Sequence, residues 1–166
     1  MRNATLVVRH VELADWSALK AIRLEALRDT PDAYGSSLEK TIAFSDNRWR
    51  LMIVQQGYYL VERNSDVVGM AAGGYHDDHP GDHWLYAMYV TPVARGTGVA
   101  SALVEAVSGW ARRERASALY LDVSTSLARA RAFYQKEGFI PTGERRVMER
   151  DPSIELVRMK KELGGG

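Results

Sequence analysis

The chain has 166 residues, of which 46% are hydrophobic and 26% are charged, a composition typical of a globular protein that folds as one domain. Its 22 basic and 21 acidic residues give a net charge of +1, so composition predicts no nucleic-acid or membrane partner, and the absence of cysteine excludes disulfides and thiolate nucleophiles. The sequence contains neither an apolar run long enough to span a bilayer nor a signal-peptide pattern at its start, and we therefore expect a cytoplasmic protein.

The first third of the chain is predicted to contain a strand and two helical regions. Residues 4–9, ATLVVR, form a β-branched run that is typical of a strand. Asp15 is placed to cap a helix whose apolar residues recur at helical spacing. A loop rich in Gly, Pro, Asp and Ser occupies residues 29–37, and a second, less regular helical region is expected over residues 38–55.

Two strands joined by a tight turn follow, and a histidine-rich segment comes after them. The strands are predicted from YYLVER and VVGMAAGGYH, with the turn at residues 64–66. Residues 76–83 contain three histidines and three aspartates. Their spacing matches no metal-ligand motif and Pro80-Gly81 marks a turn, so a solvated loop is favoured and no metal is expected.

Residues 85–111 combine a strand, a glycine turn and a long helix. The apolar strand ends at Thr91-Pro92, because proline has no N–H for a ladder. Beyond Gly98 the apolar residues recur on one helical face. Gly96 and Gly98 allow close approach of the backbone to a ligand, and a helix N-terminus offers free N–H groups and partial positive charge. The pattern suits phosphate oxygens, with an ordinary strand-to-helix turn as the alternative.

A strand, a helix and two closing strands complete the chain. The segment ALYLDV, residues 118–123, is typical of a buried strand, and residues 124–126 are expected to cap the next helix. The closing strands flank a turn at residues 151–153. This order of elements predicts an α/β (α+β) fold in one domain, residues 1–163, followed by a disordered tail, residues 164–166.

Two motifs in this order resemble the GNAT superfamily of acyl-CoA-dependent N-acetyltransferases. The residues from Arg95 to Ala100, RGTGVA, fit the family signature of Arg or Gln, two residues, Gly, one residue, and Gly or Ala. Residues 130–139 resemble the family's A-x-x-x-Y-x-x-x-G-F helix end, with Tyr134 and Gly138 in place. The stretch RLEALRDTPDAYGSS is similar to bacterial members, so the likeness covers nearly the whole chain.

The resemblance implies a mixed, mostly antiparallel sheet of about seven strands, splayed in the middle by a bulge, with helices on both faces. It also implies that acetyl-CoA is the acyl donor and that a primary amine of a small molecule or peptide attacks the thioester directly. The residues that it assigns to the cofactor, largely through their backbone, are Met88, Tyr89, Val90, Arg95, Gly96, Thr97, Gly98, Val99, Ala100, Ser101 and Phe133.

Tyr134 takes the position of the family's tyrosine near the cofactor sulfur, where a phenol can give a proton to the leaving thiolate. A tyrosine that only fills the helix–sheet interface is the alternative. Many relatives carry Asn where this chain has Leu127. Leucine cannot make the corresponding hydrogen bond, so that contact is absent or is supplied by residues 124–126.

The acceptor pocket is expected between the first helix, the loop after it and the loop at residues 76–83. Arg23 is a candidate for pairing with a substrate carboxylate, and a structural salt bridge is the alternative. The general base is left open among His83, Tyr86, Glu25, a water chain and bulk solvent. The substrate-binding candidates are Arg23, Leu27, Tyr34, Trp49, His83 and Tyr86.

The protein is expected to be a monomer or a homodimer. Two other functions are alternatives to acetyl transfer. A dinucleotide-binding oxidoreductase would need a third glycine where the chain has Ser101, and a second nucleotide-binding half for which the chain has no room. A non-catalytic acyl-CoA sensor of the same fold is compatible with all the motifs.

Overall fold

A single seven-stranded sheet organises residues 5–164, the part of the chain that the computed structural model describes. The strand order is β1-β2-β3-β4-β5-β7-β6, and every neighbouring pair is antiparallel except β4 and β5, which are parallel. This confirms the predicted mixed, mostly antiparallel sheet. The strands are β1 Leu6–His10, β2 Gly57–Arg63, β3 Asp66–Gly74, β4 His83–Val90, β5 Ala118–Ser124, β6 Ile140–Val147 and β7 Glu155–Glu162.

Helices cover both faces of the sheet because its strands are apolar on both sides. Along β2, Tyr58 and Leu60 belong to the core under the N-terminal helices, whereas Tyr59 and Val61 belong to the core under the C-terminal ones. This alternation follows from the two-residue period of a strand. The helices are α1 Trp16–Asp29, α2 Leu38–Ile42, α3 Asp46–Gln55, α4 Val99–Arg113 and α5 Ala128–Lys136.

Helix α4 lies very close to the sheet, because glycines stand opposite Trp110. A Cβ atom added at Gly73 would lie 2.2 Å from Cε3 of Trp110, and one added at Gly57 would lie 2.8 Å from its Cδ1. Only glycine leaves room for the indole at these positions. At the start of α4, a Cβ atom added at Gly69 would lie 2.7 Å from Cγ1 of Val99, so the first turn of the helix lies equally close to the sheet.

The sheet opens between its two central parallel strands. On β4, Ala87 and Met88 lie opposite the single residue Ala71 of β3, and Ala87 has a φ of 56°. Two residues facing one make a β-bulge, which bends the strand. Strands β4 and β5 pair only at His83 with Leu119 and at Trp84 with Tyr120. Beyond Trp84 the edge of β4 that faces β5 has no ladder partner, and a cleft lies there.

Two predicted helix caps are wrong, and a predicted helical region is divided. Asp15 directly precedes α1, but its carboxylate accepts from the N–H of Glu12 at 2.9 Å rather than from α1. The helical region at residues 38–55 is two helices, because Ser37 and Ser45 each cap a separate start. Helix α5 begins only at Ala128 and has no side-chain cap, since the hydroxyls of residues 124 and 126 bond each other at 2.8 Å.

The ends of the chain limit two of the predictions. The first strand begins at Leu6, and residue 4 of the predicted ATLVVR strand lies outside the described residues, as do residues 165 and 166 of the predicted tail. Between residues 5 and 164, no helix is both long enough and apolar enough to cross a bilayer.

Candidate active site

The glycine turn between β4 and α4 presents backbone amides at the head of the cleft. Gly96 and Gly98 have φ values of 77° and 89°, a conformation that L-residues rarely adopt. The first hydrogen bond of α4 runs from the N–H of Ala102 to the carbonyl of Gly98 at 3.1 Å, so the N–H groups that precede Ala102 have no acceptor within the helix. No side chain caps this end. The turn can therefore bind an anion such as a pyrophosphate.

The cleft below this turn has a volume of about 1000 Å³ and runs between β4 and β5. Its walls come from β4 and its bulge, β5, α5, the loop after α1 and the segment between β6 and β7. Eight of the predicted cofactor residues line it: Met88, Val90, Arg95, Gly96, Gly98, Ala100, Ser101 and Phe133.

The other three predicted cofactor residues direct their side chains away from the cleft. Tyr89 is buried on the far face, where its hydroxyl donates to Oδ2 of Asp29 at 3.1 Å. The hydroxyl of Thr97 donates to the carbonyl of Ala94, and Val99 packs in the core under α4. Only the backbone of these residues is available to a ligand.

Arg95 and Ser101 both have partners within the protein. Arg95 donates from Nη2 to Oδ2 of Asp29 at 2.6 Å and from Nε to the carbonyl of Val90 at 3.1 Å. These bonds tie the turn to α1 and to the end of β4. The hydroxyl of Ser101 donates to Oε1 of Glu137 at 2.6 Å.

Tyr134 presents a free hydroxyl to the cleft. The residue is 8% exposed, and its ring packs edge-to-face on Phe139 at 5.6 Å between centroids. Among residues 5–164 no group forms a hydrogen bond with this hydroxyl, and the residue lines the cleft. Burial, and secondarily the nearby Tyr34, raises the pKa of Tyr134 well above its usual value. The side chain is therefore a neutral proton donor at physiological pH.

Tyr34 closes the cleft on the side of α1. Its hydroxyl donates to the carbonyl of Met88, in the bulge, at 2.7 Å. Loss of hydration raises the pKa of Tyr34 to about 12, so this donor also stays protonated. Arg150 holds the loop in place by donating to the carbonyls of Tyr34 and Pro31 at 2.9 and 3.1 Å.

Arg23 projects from α1 into the same wall and has no acidic partner among residues 5–164. Its Nη1 is shielded from solvent and has no hydrogen-bond partner in the described chain, and its Nη2 lies 3.4 Å from Oγ of Ser36. The guanidinium lies 5.0 Å from the centre of the Tyr34 ring. Burial lowers the pKa of Arg23, although arginine remains charged at neutral pH. The structural salt bridge, the alternative to a substrate contact, is not formed within the described part of the chain.

The opposite wall of the cleft is polar. Asp122 on β5 accepts from Arg158 at 3.0 Å and from Arg146 at 2.9 Å. Tyr86 donates to the carbonyl of Tyr75 at 3.3 Å, and burial, followed by the charge of Asp122, raises the pKa of Tyr86 to about 12. At neutral pH its phenol is therefore a poor base. The other polar residues of this wall include His76, Asp78 and Glu149.

Sequence reasoning did not single out Asp122, although one signal was available. Asp122 is the only charged residue in the apolar run ALYLDV, and a charge in a buried strand needs partners or a function. The histidine-rich loop does reach the cleft, but through His76 and Asp78. Leu127 also lines the cleft with an apolar side chain, and residues 124–126 do not line it.

Three predicted acceptor residues do not line the cleft. Leu27 and Trp49 are 2% and 0% exposed and fill the core between α1, α3 and the sheet, because their large apolar side chains are more stable there. His83 packs between Tyr75 and Trp110 on the α4 side of the sheet. Among the predicted acceptor residues, those at the cleft are Arg23, Tyr34 and Tyr86.

Comparison with known proteins gives one family match. A sequence profile described as the acetyltransferase (GNAT) family matches residues 19–139, which include the glycine turn and Tyr134. No curated protein matches the chain significantly.

Solved structures share the fold over nearly their full lengths. A candidate acetyltransferase of Salmonella typhimurium, solved with its cofactor acetyl-CoA, has a TM-score of 0.78 at 18% identity, over 98% of this chain and 96% of that one. The GNAT-family acetyltransferase of Streptococcus pneumoniae has a TM-score of 0.78 at 21% identity, over 96% and 100%. The ribosomal-protein-alanine N-acetyltransferase of Brucella melitensis has a TM-score of 0.71 at 26% identity, over 94% and 99%.

Proposed function

The chain belongs to the acetyltransferase (GNAT) family, whose members use acetyl-CoA as acyl donor, and on that premise we propose that it acetylates the nitrogen of a primary amine. The observation that carries the proposal is the opening between β4 and β5, with a glycine turn at its head and the free hydroxyl of Tyr134 in its wall. The acceptor is an amine of a small molecule or a peptide. The ribosomal-protein-alanine N-acetyltransferase among the structural neighbours supports the peptide class.

The cleft fits acetyl-CoA in charge and in backbone chemistry. The amides of residues 98–101 suit the pyrophosphate, since they lack intrahelical acceptors and lie at the positive end of α4. The unpaired edge of β4 from Leu85 onward offers N–H and C=O groups to the amides of the pantetheine arm. The apolar side chains of Leu127, Ala130 and Phe133 also line the cleft.

In the proposed reaction the neutral amine attacks the thioester carbonyl. The nitrogen lone pair forms the new C–N bond, the C–S bond breaks, and the leaving thiolate takes the proton of the Tyr134 hydroxyl. The proton lost by the nitrogen passes to solvent along the polar wall that contains His76, Asp78 and Asp122. Solvent returns a proton to Tyr134, and the products are an N-acetylated amine and free CoA.

A pair of measurements tests this function. Acetyl-CoA at 100 times its dissociation constant should stabilise the protein by about 2.7 kcal/mol and raise its melting temperature, whereas NAD should not. A thiol-release screen of amines, amino acids, peptides and aminoglycosides should then identify acceptors. Stabilisation by NAD alone would contradict the proposal, and stabilisation by acetyl-CoA without thiol release from any amine would favour a sensor. Cytoplasmic location and the choice between monomer and homodimer stay predictions.

A further inference from the structure

Arg23 is the arginine that lines the cleft from α1, and its environment is unusual for a partly buried cation. A buried charge normally has an acidic partner or several hydrogen bonds, because removal from water is costly. Arg23 has neither: its Nη1 is shielded and unpartnered in the described chain, and its single hydrogen bond, to the exposed residue Ser36, is 3.4 Å long. The ionisable groups that act on it are the phenols of Tyr58 and Tyr34.

We propose that Arg23 binds a carboxylate of the acceptor, so that the amine acetylated by this protein carries a carboxylate group. The inference rests on the proposed acetyl transfer and names the substrate class for the same cleft. Arg23 lines that cleft, and a carboxylate would supply the acceptors that the protein does not. The planar fork of a guanidinium matches the two oxygens of a carboxylate.

Tyr34 connects Arg23 to the place of reaction. The guanidinium lies over the Tyr34 ring, 5.0 Å from its centre, and the hydroxyl of that ring donates to the carbonyl of Met88 in the bulge at 2.7 Å. Arg23 and the bulge are therefore joined through a single side chain. A small molecule with both an amine and a carboxylate can place one group at the bulge and the other at Arg23.

The charges around Arg23 favour a single carboxylate over a phosphate. Phosphate sites usually combine several cations or a helix N-terminus, which match the higher charge of the ligand. Of the three other arginines that line the cleft, Arg95 is paired with Asp29 and Arg146 with Asp122, while Arg129 belongs to α5 and not to the α1 side. One unpaired guanidinium thus faces the acceptor from α1, and a monoanion neutralises it.

A stability measurement distinguishes this role from a structural one. If Arg23 serves only a ligand, Arg23→Met removes an uncompensated, partly buried charge and should leave the melting temperature of the free protein unchanged or raise it. A structural arginine would lower it when replaced. Arg28→Met, on the exposed side of the same helix, is the matched control.

Direct binding tests the carboxylate itself. N-acetyl amino acids and their primary amides are titrated calorimetrically into the protein, alone and with CoA present. For the wild type and for Arg28→Met, at least one acid should bind about 10- to 100-fold more tightly than its amide. This ratio of affinities corresponds to one charge-assisted hydrogen bond. The preference should vanish in Arg23→Met and return in part in Arg23→Lys. Equal binding of acids and amides, binding of neither, or a preference that survives in Arg23→Met overturns the proposal.

Thiol release run in parallel separates this proposal from acetyl transfer. Turnover of amines with no preference for those that carry a carboxylate overturns the role of Arg23 and leaves the acetyltransferase standing. Binding of the acids through Arg23 without thiol release from any amine overturns acetyl transfer and leaves the anion site standing.

Discussion

Tyr134 and Tyr75 have the same side chain in opposite surroundings. The Tyr134 hydroxyl faces the cleft without a partner, whereas the Tyr75 hydroxyl lies at the surface and donates to Oε2 of Glu114 at 3.1 Å. We expect Tyr134→Phe to lower kcat by about 100-fold, because the thiolate would then leave without its proton donor. Acetyl-CoA affinity should stay within about twofold, since phenylalanine keeps the ring contacts with Phe133 and Phe139. Steady-state thiol release and calorimetry measure the two quantities.

Tyr75→Phe is the control at this scale. It removes one exposed hydrogen bond outside the cleft, so kcat should equal that of the wild type. Equal kcat in Tyr134→Phe as well would reduce Tyr134 to a packing residue of the interface between α5 and the sheet.

At the scale of the element, two glycines with the same backbone conformation distinguish a role of the glycine turn in binding from the cost of backbone strain. Gly98 and Gly81 have φ values of 89° and 90°, and a Cβ atom at either would meet nothing within 4 Å. Valine at either position should destabilise the protein by about 1–2 kcal/mol through backbone strain alone. Only Gly98→Val should also raise the dissociation constant for acetyl-CoA, by at least about tenfold, because its amides would leave the anion site.

Denaturant unfolding and calorimetric titration of both variants test this prediction. Gly81→Val lies in the loop before β4 and should bind acetyl-CoA like the wild type. Unchanged affinity in Gly98→Val would show that the pyrophosphate binds elsewhere, and an equal loss in both variants would point to a general effect of destabilisation.

The ends of helices and strands could be predicted where residues next to them in the sequence determine those ends. Proline after β4 and glycines before α4 specify the ends of those elements, so strand, turn and helix were predicted in the right places. The bulge has no such signal: alanine rarely takes a positive φ, and nothing in the run around Ala87 marks the 56° seen there. Only the family resemblance anticipated it.

The acceptor side of the cleft was less predictable, because tertiary contacts decide which residues reach it. Arg23 and Leu27 lie four residues apart and so share a helical face. The long side chain of Arg23 reaches the cleft, whereas Leu27 stays in the core. Trp49 looked equally available from its sequence, but α3 turns it inward against Phe44. Periodicity identifies which residues of a helix face the interior, but it does not tell which of them fill the core and which line a pocket.

At the scale of the whole molecule, the cleft exists because two cores are built on one sheet. The helices α1 and α3 cover one face and α4 the other, and each core is continuous up to the strands that diverge. The tyrosines that border the opening are consequently removed from water. Because these tyrosines are buried, the free energy of unfolding should decrease as the pH rises into the alkaline range.

Tyr34 provides the test of that dependence. An unfolded tyrosine ionises near pH 10, whereas burial raises the pKa of Tyr34 to about 12 in the fold. Between these values the unfolded chain binds fewer protons than the folded one, so the stability that Tyr34 contributes is intact below pH 10 and is lost as pH rises toward 12. Tyr34 contributes at most about 1.4 kcal/mol per pH unit to the slope of the free energy of unfolding against pH.

Urea unfolding from about pH 9 to pH 11.5 measures this contribution. The free energy of unfolding should fall more steeply with pH in the wild type than in Tyr34→Phe. The variant also loses the hydrogen bond to Met88, which lowers its stability at every pH below that range. The quantity to compare is therefore the slope against pH and not the absolute stability. Two parallel curves would refute the prediction.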